Sequence, residues 1–240
     1  MTVELGPTLF SARPLAEYRA MFALSEADLG GQVLDCPGGA ASFTAEVCAA
    51  GGHAVAVDVI YERTPAELAV LARDETERGN AYMAGNADRY VWSYFPDVAS
   101  HDQARQTAAE VFARDITAHP QRYVAGALPH LPFQDGSFDL ILSGHLLFTY
   151  TDRLDANFHL AALLELVRVT RSEVRVFPLL QHTGHSDPQL LDYLCSQLSA
   201  SGIHTQMRPV DYEFLRGGNQ MLVLTTTTSA VALSDSASFR

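Results

Sequence analysis

Val33-Leu34-Asp35-Cys36-Pro37-Gly38-Gly39-Ala40-Ala41-Ser42 is the stretch on which the fold turns. An apolar run ends in an acid, the chain bends through two glycines, and small residues open a helix. Gly38 and Gly39 lack a Cβ, so a ligand can lie against their backbone. The helix beyond them directs unpaired N–H groups and the positive end of its dipole at that ligand. A second apolar run, His53-Ala54-Val55-Ala56-Val57, ends in Asp58, 23 positions after Asp35. A carboxylate closing a strand there can accept from two vicinal hydroxyls, such as those of a ribose.

Outward from that stretch the pattern alternates strand and helix, which predicts an α/β fold with a mostly parallel sheet covered on both faces. Strands are expected at 32–36, 53–58, 122–125, 138–143, 173–178, 204–211 and 219–226. Helices are expected at 14–24, 42–51, 64–78, 101–118, 153–170 and 187–201. The interval between the second and third strands exceeds sixty residues, about twice a usual crossover. Its surplus, near 80–119, is read as a helical insertion carrying Tyr82, Tyr90, Trp92, Tyr94 and Phe95. Those aromatics either cap a cleft or pack an extra helical layer. We read one domain over 1–226 with an N-terminal helical segment, and a flexible tail over 227–240.

The chain of 240 residues is 48% hydrophobic, ample for a core, and carries a net charge of −12. With no basic run, nucleic acid is not expected as a partner. All sixteen basic residues are arginine, which removes a P-loop lysine, a Schiff-base lysine and pyridoxal chemistry. Cys36, Cys48 and Cys195 are too few and too scattered for a disulfide framework or a zinc site. His182, His185 and Asp187 lie together, but a surface or substrate-facing loop suits them better than a metal, and no metal is expected. The N-terminus lacks the features of a signal peptide and no apolar run is long enough to span a bilayer, so neither membrane nor export is expected. A cytoplasmic location is the expectation that follows.

Further along, Leu131-Pro132-Phe133-Gln134-Asp135-Gly136-Ser137-Phe138-Asp139-Leu140-Ile141-Leu142 leads from a tight turn into an apolar strand. Together with the Asp35-Cys36-Pro37-Gly38-Gly39 bend and Asp58, it resembles the class I S-adenosylmethionine-dependent methyltransferases, most closely their small-molecule type 11 branch. The likeness covers roughly residues 30–180. It implies a Rossmann-like doubly wound sheet of about seven strands with an antiparallel last strand. The sequence departs from the family pattern at Pro37 and Ala41, where glycine is usual, and at Ala127, where many relatives carry an acid near the adenine amino group.

The resemblance implies S-adenosyl-L-methionine as cofactor and a small-molecule acceptor, with a protein side chain as the alternative, methylated by in-line transfer. Asp35, Pro37, Gly38 and Gly39 would lie along the amino-acid end of the cofactor, and Asp58 on the ribose. Val59 and Leu128 would flank adenine, while Ser143 and Gly144 would close the pocket from the fourth strand. His145 is the candidate general base, since imidazole titrates near neutrality; its alternative is to line the pocket only. Tyr18, Met21 and Phe22 have core-like spacing, with contact to the cofactor as their second reading. Two other readings stay open: a non-catalytic cofactor-binding or interaction protein of the same fold, and a nicotinamide-dependent oxidoreductase.

Overall fold

The computed structural model describes residues 9–226. In chain order, α1 (Leu15–Phe22) and a short α2 (Glu26–Leu29) precede β1 (Gln32–Asp35), and α3 (Phe43–Ala49) leads to β2 (His53–Asp58). Two long helices, α4 (Pro65–Gly85) and α5 (Val98–Ala118), separate β2 from β3 (Tyr123–Ala125). Then follow β4 (Phe138–Gly144), α6 (Ala156–Val169), β5 (Thr170–Phe177), α7 (Pro188–Ala200), β6 (Ile203–Pro209) and β7 (Gln220–Thr226). All seven strands join one sheet in the order β3-β2-β1-β4-β5-β7-β6. β7 runs antiparallel to β5 and β6, and the other neighbours pair parallel. The expected mostly parallel sheet with a reversed last strand is the one observed.

Alternating side chains assign the two faces. Val33, Leu140, Leu142, Met221 and Val223 pack with Met21, Phe22 and Phe43 of α1 and α3. Their neighbours Leu34, Ile141, Val174, Leu222 and Leu224 pack with Leu163, Leu166, Leu194 and Leu198 of α6 and α7. Each central strand is thus buried on both sides, which is why it reads as a continuous apolar run. A third cluster joins Ala56 of β2 to Leu68 of α4 and to Phe112 and Ile116 of α5. The long insertion is therefore a helical pair seated beside the first layer.

Boundaries differ from expectation where packing or caps intervene. α4 runs on past residue 78 to Gly85, through Gly79 and Asn80, because Asn80 is buried and donates to Asp102 O of α5. Tertiary contact there overrides weak helix propensity. α5 starts at Val98 because the Asp97 side chain accepts from Ser100 N–H at 2.7 Å. Among the described residues no helix is long and apolar enough to cross a membrane. The tail at 227–240 lies outside the described residues.

The sheet order reverses between β1 and β4, so their carboxyl ends flank a crevice of the kind where open α/β sheets bind ligands. Asp35 ends β1, and Ser143, Gly144 and His145 end and follow β4.

Candidate functional site

Two cavities open at that crevice. The first, about 280 Å³, is walled by Cys36 and Pro37 after β1, Asp58 and Val59 after β2, Leu128 after β3, and His145. Pro37, Asp58, Val59, Leu128 and His145 are thereby brought together. Val59 is 58% exposed, an unusually open position for valine, and offers its side chain to this space. Asp58 is held by the backbone: Ile60 N–H donates to Oδ1 at 3.1 Å and Gly39 N–H to Oδ2 at 3.0 Å. Lone pairs remain on both oxygens. Burial raises the Asp58 pKa above the ordinary range, although backbone donors from Ile60, Gly39 and Val59 pull it back.

Asp35, Gly38, Gly39, Ser143 and Gly144 do not line this cavity. Asp35 is buried, and Tyr18 OH donates to it at 2.9 Å. Burial lifts the Asp35 pKa well above the carboxylate range; the Tyr18 bond lowers it, Asp58 raises it further, and Arg13 lowers it. Tyr18 thus packs in the core and anchors the end of β1 from α1, and Met21 and Phe22 are fully buried beside it. Ser143 is buried with its hydroxyl unpartnered.

The glycine bend is occupied by the protein itself. A Cβ on Gly38 would meet Ala56 Cβ and the Tyr61 hydroxyl, each at 2.7 Å. Tyr61 OH donates to Gly39 O at 2.6 Å, and Ala40 N–H to Ser11 O at 3.2 Å, so the 9–13 segment lies over the turn. Gly39 adopts φ +54°, where a side chain is strained. Gly38→Ala is therefore expected to destabilise the fold by about 1–3 kcal/mol through overpacking. Chemical denaturation checks this, and an unshifted midpoint would show that Tyr61 and Ala56 yield without cost.

The Leu131–Asp139 segment is a structural clasp. Leu131 N–H donates to Glu165 of α6, and Arg168 donates to Phe133 O and to Asp135. Gly136 takes φ +60° at the turn. The segment fixes the entry to β4 and thereby the position of His145.

His145 itself has φ +54°, rare for a residue with a Cβ, and its N–H donates to Phe177 O at 2.8 Å. Its Nε2 is buried without a partner. Burial, then the charges of Arg13 and Arg105, hold its pKa well below the usual imidazole value, so it is neutral at pH 7.

A second cavity, about 160 Å³, shares Leu9, His145 and Tyr150 with the first. Its walls come from the ends of β4 and β5, the loop before β7, and the insertion, which supplies Tyr82, Met83, Tyr90, His101 and Arg105. Beneath it lies a buried charge network that sequence reading missed. Arg105 donates both terminal nitrogens to Glu17, and Tyr212 OH donates to the same carboxylate at 2.7 Å. Arg105 Nε donates to His101 Nε2, and His101 is driven down to about 3 by burial and the charge of Arg105. The only local sequence hints were the four-residue spacings Arg13–Glu17 and His101–Arg105. Among the described residues, no group of three or more His, Cys, Asp or Glu is placed to hold a metal, and His185 instead bonds Thr183.

With this geometry established, the similarity to known proteins can be placed. Residues 79–177 match the family model described as a methyltransferase domain. That match takes in the end of α4, α5, β3, the clasp, β4, α6 and β5. Over those residues the chain is similar to this methyltransferase family. An uncharacterized protein of Methanocaldococcus jannaschii, MJ0045, is 29% identical over 223 residues, covering 92% of this chain and 98% of that protein. Among solved structures, the chain is similar to a SAM-dependent methyltransferase of Aquifex aeolicus, at 15% identity and TM-score 0.43 over 88% of each chain. The magnesium protoporphyrin IX methyltransferase of Synechocystis PCC 6803 is similar at 12% identity and TM-score 0.47, over 88% of this chain and 81% of that one.

Proposed function

We propose that the protein transfers a methyl group from S-adenosylmethionine to a small-molecule acceptor. The observation that carries this reading is the shared wall. One cavity has a carboxylate and apolar sides suited to an adenosyl group, the other is aromatic, and His145 and Tyr150 stand between them. Asp58 would accept from the ribose hydroxyls, with Val59 and Leu128 flanking adenine and Pro37 closing the floor. When bound, the cofactor supplies an activated methyl on a sulfonium, so no nucleophile is asked of the protein.

The chain's own contribution is alignment, exclusion of water and control of one proton. A neutral His145 with a free Nε2 can take a proton from an acceptor hydroxyl or amine as transfer proceeds. General-base catalysis of this kind is worth on the order of 10²–10⁴-fold. His145→Ala should accordingly lower kcat about 100-fold, well beyond any change in S-adenosylhomocysteine affinity from the altered cavity wall. An unaltered kcat would leave His145 as a wall residue.

Calorimetric titration with S-adenosylhomocysteine and with NAD tests the cofactor, and tighter binding of NAD would overturn the reading. Transfer of a labelled methyl across an acceptor panel tests turnover. The covered glycine bend favours a second reading, a binding protein that keeps the fold without turnover. Tight cofactor binding with no label transferred to any acceptor would select it.

A further inference from the structure

We infer that the 160 Å³ cavity takes a single-ring aromatic carboxylate, its ring between the aromatic walls and its carboxylate on Arg13, beside the charge of Arg105. The inference extends the methyl-transfer reading by naming the acceptor class, and its anion site stands on separate observations.

Size comes first. An engineered apolar cavity of about 150 Å³ binds benzene. A volume of about 160 Å³ therefore suits one ring with a small substituent. The walls are flat: Phe214 stacks with Tyr90 at 4.8 Å and with His101 at 5.1 Å, and Phe177 meets His145 edge-on at 5.9 Å.

Charge comes second. Arg13 and Arg105 both line the cavity and have one buried carboxylate between them, Glu17. Arg105 takes that carboxylate through two hydrogen bonds, and Tyr212 takes a third. Arg13 Nε is left 3.6 Å from Glu17, beyond hydrogen-bond reach. Glu75, also in the wall, is already engaged by Arg78 and Phe10 N–H. Asp35, the other buried carboxyl that Arg13 acts on, is held by Tyr18 and lines neither cavity, so at the cavity itself two guanidiniums meet one shared carboxylate, and burial followed by the Arg105 charge pushes the Arg13 pKa down. An incoming carboxylate restores the balance, and a guanidinium fork suits it.

Unmet hydrogen bonds come third. Among the described residues, Arg13 Nε, Thr76 Oγ1, His145 Nε2 and Thr149 Oγ1 are buried without partners, and all four belong to residues lining this cavity. Thr76 and Thr149 are 5% and 7% exposed. Buried polar groups normally find partners, so such a concentration marks a ligand's contacts. His145 at the shared wall then faces a ring hydroxyl or amine, the acceptor atom. The O–H or N–H proton passes to Nε2 as the new bond to the methyl carbon forms and the sulfonium leaves as a thioether.

Calorimetry with benzoate and benzamide on the wild-type protein tests the anion site, with and without saturating S-adenosylhomocysteine. Benzoate is expected to bind at least 10-fold more tightly than benzamide, and equal binding of the two, or none of either, overturns the inference. Arg13→Gln should erase the preference while S-adenosylhomocysteine affinity stays unchanged. If the variant instead weakens S-adenosylhomocysteine and keeps the benzoate preference, the arginine serves the cofactor's own carboxylate and the inference fails. The wild-type comparison needs no variant, so a misfolded Arg13→Gln does not blunt the test. Failure of S-adenosylhomocysteine to bind at all would strike the methyl-transfer reading instead, and benzoate against benzamide without it would still decide the anion site.

Discussion

Glu17→Ala is expected to lose about 3–5 kcal/mol of stability, the cost of leaving buried charge unpaired. For a chain of this size that corresponds to a fall in melting temperature of roughly 6–20 °C. Glu17 is fully buried in α1 and is the carboxylate that Arg105, Arg13 and Tyr212 share. Burial by itself would raise the Glu17 pKa, but the charge and hydrogen bonds of Arg105, with Arg13 and Tyr212, outweigh it and hold the pKa below the ordinary glutamate value. A depressed carboxyl pKa contributes stability that is complete above the unfolded value and is lost as pH falls through the folded one. The wild type should therefore weaken in acid more steeply than Glu17→Ala. Thermal melts from pH 7 down to pH 3 check both points, and parallel curves with equal midpoints at pH 7 would show that the network is solvated.

Asp58→Ala should weaken S-adenosylhomocysteine binding by about 100-fold, close to 2.8 kcal/mol at about 1.4 kcal/mol per factor of ten. Two losses combine. On the proposed reading the ribose hydroxyls would lose their acceptor, and the N–H groups of Gly39 and Ile60 lose the carboxylate that they bond. Each N–H left without an acceptor costs about 1–3 kcal/mol if water cannot reach it. Asp58→Asn is the sharper comparison, because its amide group can accept from one of the two N–H groups but must face the other with a donor. Titration calorimetry with a parallel melt separates binding from folding. Unchanged affinity in a protein of unchanged melting temperature would remove Asp58 from the cofactor site.

Much of the fold was legible because burial repeats locally. β1, β4 and β7 are apolar on both faces, and that shows as runs such as Leu140-Ile141-Leu142 and Met221-Leu222-Val223-Leu224. Asp58 could be singled out from its place at a strand end, and the structure puts it in a cavity wall with Val59 and Leu128. The glycines were legible as a bend. What packs against them was not, because Tyr61 and Ser11 reach Gly39 from elements 22 and 28 residues away.

The amino-acid sequence by itself determined the alternation of strands and helices, the reversal at the last strand through its likeness to a known family, and the acid that closes β2. Each is encoded in short-range periodicity or in a contiguous motif. Tertiary structure alone decided that Glu17 meets Arg105 and Tyr212, 88 and 195 positions away. It also decided that the insertion walls a second cavity and that His145 joins the two. Such contacts follow from sheet order and helix placement, and residue spacing along the chain carries no record of them.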